Sequence, residues 1–60
     1  MTGNAMKEIG LWQYNKITGY WKLERMCAPE LADQWLERFQ KDEPEETFKL
    51  SLRKPSGRPK

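Results

Sequence analysis

From Ile9 onward apolar and polar positions alternate as they do in a half-buried β-strand, pause at Asn15-Lys16-Ile17-Thr18-Gly19, and resume from Tyr20. Asn can open a turn with its side chain and Gly can close one at positive φ, so the segment predicts a β-hairpin with a loop of about four residues. Pairing Asn15 with Tyr20 sets Tyr14 against Trp21 and Trp12 against Leu23, all four on one face. Strict alternation would then carry Arg25 onto that face, where an unpaired guanidinium is not buried at tolerable cost. A bulge or strand end near Glu24 is expected instead, with Met26 packed and Arg25 at the rim.

The next segment has a helical period. Pro29 suits a first helical turn and Glu30 the positive end of the helix dipole, although Ala28 is a poor cap. Leu31, Ala32, Trp35, Leu36 and Phe39 fall within an arc of about 140°, a single apolar stripe. Pro44 disfavours helical geometry at Glu43, so the helix should stop near Lys41 or Asp42. After the acidic loop, Phe48, Leu50 and Leu52 alternate with Lys49, Ser51 and Arg53, which predicts a half-buried strand. The element order is ββαβ, an α+β domain with a three-stranded sheet and one helix on one face. A right-handed crossover favours the all-antiparallel strand order 2-1-3, with 1-2-3 and its parallel pair as the alternative. Residues 1–7 form an aperiodic leader expected to be disordered, 8–53 the domain, and 54–60 a flexible basic tail.

The pattern W-x-Y-N-x-x-T-G-x-W-x-L over Trp12–Leu23 resembles the C-terminal hairpin of the immunoglobulin-binding domains of streptococcal protein G. In those domains the corresponding side chains cover a helix, so the resemblance supports the register. The element order departs from that family, because here the helix follows the hairpin. The stripe around Trp35 is the large apolar surface available to cover the hairpin aromatics, so Trp12, Trp21, Trp35 and Phe39 are expected to form one core. The other sheet face would present Leu11, Gln13, Tyr20, Lys22 and Glu24 beside Lys49, Ser51 and Arg53.

Composition narrows the function. A chain of 60 residues buries only about 60% of the surface its unfolded form exposes, so its large aromatics must make an efficient core. Cys27 is the single cysteine and there is no histidine, which removes an internal disulfide and any Cys-His pair; Cys27 reads as a small packed hydrophobe. Asp42, Glu43, Glu45 and Glu46 are interrupted by Pro44 and lack the alternating spacing of a calcium loop. With no phosphate-cradling glycine loop and too little chain to enclose a pocket of roughly 300 Å³, neither an enzyme, a cofactor nor a small-molecule substrate is expected. No apolar run reaches the length of a membrane span and the polar start lacks a signal-peptide core, so the expected location is cytoplasmic, away from membranes.

The net charge of +2 is segregated. Acids crowd residues 30–47, whereas Lys49, Arg53, Lys54, Arg58 and Lys60 follow without one. The terminal KPSGRPK resembles the AT-hook, whose Gly-Arg-Pro enters the minor groove of A·T-rich DNA. By position, the resemblance implies Arg58 as the inserted side chain, Gly57 and Pro59 as its shaping neighbours, and Lys54 and Lys60 as phosphate contacts. Ser56 stands where the family usually has a second arginine. Two functions are therefore expected of a non-catalytic module. One is weak, salt-sensitive association with nucleic acid through the tail and the Lys22, Lys49 and Arg53 face. The alternative is a protein partner or a self-dimer, bound through Leu11, Tyr20 and an exposed strand edge.

Overall fold

Asn15 organises the hairpin. Its backbone N–H donates to the Tyr20 carbonyl (2.8 Å) and its carbonyl accepts from Gly19 N–H (2.8 Å). Its side-chain Oδ1 accepts from the N–H groups of Ile17 and Thr18, and Gly19 closes the loop at φ 79°. The strands so joined are β1 (Ile9–Tyr14) and β2 (Trp21–Cys27), followed by α1 (Pro29–Asp42) and β3 (Phe48–Ser51). The structure is a computed structural model and describes residues 7–59; the rest of the expected leader and Lys60 lie outside the described residues.

β1 is central in an antiparallel sheet of order β2-β1-β3. The hairpin pairs Tyr14 with Trp21 and Trp12 with Leu23, as the turn chemistry requires. Past Leu23 the register shifts between Leu11 and Trp12, so that Leu11 pairs with Arg25 and Glu24 is surplus. This is the expected bulge. It turns Met26 onto the Trp12 face, where it is only partly packed, and sends Arg25 to the other side. There its guanidinium sits 3.7 Å from the centroid of the Trp35 ring, a cation–π contact at the rim.

α1 starts at Pro29 without a side-chain cap from Ala28 and ends at Asp42, one residue before Glu43, whose N–H donates to the Phe39 carbonyl. The helix packs on the side of the sheet opposite the one expected. Leu11, Cys27, Ala32 and Phe48 form the buried core, with Ile9, Trp35, Leu36, Phe39 and Leu50 packed against it. β3 explains the choice of face. Leu50 pairs with Leu11 and Lys49 with Trp12, so the apolar residues of β3 share Leu11's face and its lysine shares Trp12's. A helix over Trp12 would have to bury the Lys49 ammonium, while the observed face brings Phe48 and Leu50 under the stripe. The expected union of Trp12 and Trp21 with Trp35 and Phe39 is thus corrected: the two pairs lie on opposite sides of the sheet.

Two further positions differ. β3 ends at Ser51, so Leu52, expected on the apolar side of the strand, lies beyond it and is largely exposed. Arg53 also follows the strand, with its N–H donating to Ser51 Oγ. The loop after α1 is tied to the hairpin: Gln13 Nε2 donates to Glu46 Oε1, Lys16 Nζ to the Glu45 carbonyl, and Tyr14 N–H to the Thr47 carbonyl.

Candidate binding face

The open side of the sheet carries Gly10, Trp12 and Tyr14 from β1, Trp21, Leu23 and Met26 from β2, and Lys49 and Ser51 from β3. Trp12 lies flat over Gly10, where a Cβ would come within 2.6 Å of its Nε1. The same indole nitrogen donates to the Ser51 carbonyl across β3 (3.1 Å). Leu23 Cδ1 flanks the Gly10 position at 3.0 Å, and Met26 pairs with Gly10. Leu23, Trp12 and Met26 therefore form one apolar strip, in which Leu23 is 43% and Met26 38% exposed. Lys49, opposite Trp12, borders it with an exposed ammonium.

The other end of this face is covered by the chain's own C-terminal segment. Trp21 is buried, and its Nε1–H donates to the Gly57 carbonyl (2.9 Å). Tyr14 packs beside it, ring centroids 5.3 Å apart and planes tilted by 58°. Lys54 Nζ lies 5.9 Å from the ring of Tyr20, which is 68% exposed. Pro55 is half-buried, and a cleft of about 290 Å³ remains between Gly19-Tyr20-Trp21 and Lys54–Gly57.

The residues expected to bind are only partly brought together. Leu11, placed by simple alternation on the open face, is fully buried beneath the helix. Lys22 pairs with Gln13, which also pairs with Phe48, so it lies on the helix side, away from Lys49. The three-base face of Lys22, Lys49 and Arg53 is not assembled, because the β3 register separates the two lysines and Arg53 lies past the strand end. Arg58 and Pro59 are exposed. Tyr20 is exposed too, but beside the tail and not beside Leu11. The strip of Leu23 and Met26 escaped sequence reasoning because the helix was assigned to cover it; the alternation of Lys49 with Phe48 and Leu50 carries no register against β1 and so could not reverse the assignment.

Among the described residues, no group of three or more His, Cys, Asp or Glu side chains could hold a metal ion, and no helix is long and apolar enough to cross a membrane. The fold and this face define a small ββαβ domain with an apolar strip and a self-covered aromatic cleft. No protein-family model matches the chain, and no curated protein or solved structure matches it either.

Proposed function

We propose that the protein is a non-catalytic interaction module that binds a protein partner through the open sheet face along β2. The observation that carries this reading is the contiguous Leu23–Trp12–Met26 strip, left half-exposed on the sheet face that the helix does not cover. β2 is also an edge strand, and its regular stretch Trp21–Leu23, before the Glu24 bulge, offers backbone pairing next to the side-chain contact of the apolar strip. The Lys49 border suits a partner surface that is apolar at its centre and acidic at its margin.

Nucleic-acid binding is the second reading, and the exposed bases Arg53, Lys54 and Arg58 favour it. It asks more of the molecule. Entry of Gly57-Arg58-Pro59 into a minor groove requires the Gly57 carbonyl to leave Trp21, and Lys22 stands on the far side of the sheet.

The two readings separate in a capture experiment from lysate with wild-type protein and Leu23→Glu, each with and without nuclease and at low and high salt. Leu23 is exposed, so the variant should keep its far-ultraviolet circular dichroism. A protein captured by wild type, lost with Leu23→Glu and indifferent to nuclease is the expected result. Capture that survives Leu23→Glu but disappears with nuclease and salt would establish the nucleic-acid reading in its place.

A further inference from the structure

The Trp21–Gly57 contact has the chemistry of peptide recognition. Proline-containing segments are already extended in solution and lose little entropy when they dock. Aromatic walls pack their rings, and an indole N–H can donate to a backbone carbonyl. Each element is present here. Trp21 supplies the buried ring and the donor, Tyr14 fixes that ring, and Tyr20 supplies an exposed wall with a lysine beyond it. The occupant is Lys54-Pro55-Ser56-Gly57, with Pro55 half-buried and the carbonyl two residues later accepting from Trp21. We propose that the Tyr20–Trp21 cleft is a recognition groove for proline-containing basic peptides, filled in the free protein by the chain's own C-terminal segment.

The hold of that segment is slight. Among the described residues, one hydrogen bond fastens Lys54–Pro59 to the body of the domain, Ser56 and Gly57 are exposed, and about 290 Å³ of cleft stays open beside them. Gly57 presents its carbonyl from φ 77°, a left-handed conformation that an L side chain adopts only under strain. A tethered ligand competes at an effective concentration of the order of millimolar, so a partner peptide displaces it when it binds better or is itself presented locally. The groove and the Leu23–Met26 strip use different residues, and either can fail without the other.

The test uses the full chain, isotopically labelled, and follows by NMR the backbone amide of residue 57, which reports release of the chain's own segment by an unlabelled peptide. A synthetic peptide of sequence RKPSGRPK is titrated into wild-type protein and into Gly57→Ala, whose own segment is weakened by strain at that position. The expected result is a shift of the residue 57 amide toward its released position in both proteins, at about tenfold lower peptide concentration in Gly57→Ala. The control peptide RKASGRAK should bind at least tenfold more weakly. Equal midpoints in the two proteins, equal binding of the control peptide, or no shift at millimolar peptide would overturn the proposal. Trp21→Phe keeps the ring but not the donor, and in a variant that remains folded, undiminished peptide binding would also refute the assigned hydrogen bond. Concentration-dependent dimers that exchange C-terminal segments in sedimentation would make a second copy the occupant and reject a partner peptide.

Discussion

Gly10 shows how closely single atoms define the open face. The Trp12 indole occupies the space a side chain would need at Gly10, with Nε1 at 2.6 Å and Cε2 at 3.1 Å from the site of a Cβ. The ring cannot retreat freely, because the same Nε1 is bonded to the Ser51 carbonyl of the neighbouring strand. Gly10→Ala should therefore push Trp12 outward, break that bond and cost about 1–3 kcal/mol, as overpacking does. Urea unfolding followed by tryptophan fluorescence measures the loss, and a variant as stable as wild type would show that Trp12 does not need its seat over Gly10. The glycine carries no turn and no positive φ; its role is to be absent where an aromatic ring lies.

At the scale of elements, the hairpin was legible and the layer it belongs to was not. The turn could be read because Asn15 and Gly19 act locally: one side chain accepts two N–H groups and one residue takes a left-handed φ. Gly19→Ala, at φ 79°, should cost about 1–2 kcal/mol, and Gly19→Asn less, because Asn tolerates that conformation. Thermal unfolding of the pair checks the order, and Ala more stable than Asn would refute it. The bulge near Glu24 was legible for a similar reason, since one charged residue broke an alternation. The helix span followed from Pro29 and Pro44. The face the helix covers was not legible from the hairpin, because both sides of β1 are apolar: Ile9 and Leu11 on one, Trp12 and Tyr14 on the other. Only pairing across the sheet, Lys49 with Trp12 and Leu50 with Leu11, removes the ambiguity. The candidate site inherited that error, and Leu11 and Lys22 changed places with Leu23 and Met26. Its tail contact was missed for another reason, since a hydrogen bond between Trp21 and Gly57 leaves no periodic trace.

The whole molecule is a three-layer arrangement of unequal layers: a helix, a sheet, and the short C-terminal segment. Its stability should rest on the first interface. Leu11 is fully buried at the centre of β1, and Leu11→Ala should cost about 2–5 kcal/mol, comparable to the roughly 3–5 kcal/mol that a core this small supplies. Leu11→Ala is expected to be largely unfolded by circular dichroism at room temperature. A cooperative transition near that of wild type would move the weight of the core to the Trp12 side. The layers also separate charge. Acids concentrate on the helix and the loop after it, while Lys49 and the C-terminal bases accompany the opposite face. A partner with an acidic margin is thus drawn toward the open face and away from the helix, an effect on association rate that salt should weaken.

The surplus residue in β2 has a consequence for how this chain could change length. Side chains in a strand alternate, so losing or gaining one residue ordinarily exchanges the inside and outside of everything beyond it. Glu24 is the exception, because the bulge already absorbs it. Without it, Trp21, Leu23 and Met26 would still lie on one side of β2, and Lys22, Arg25 and Cys27 on the other. A chain lacking Glu24 should therefore fold around the same core, but with a straighter and uninterrupted outer edge, the form of edge that invites another strand. Sedimentation should find it folded and more strongly self-associating than wild type; a folded ΔGlu24 that associates no more than wild type would show that the kink does not guard the edge. The codon for Glu24 is thus a point at which β2 can shorten without scrambling its faces, and the price of that deletion would be paid in solubility.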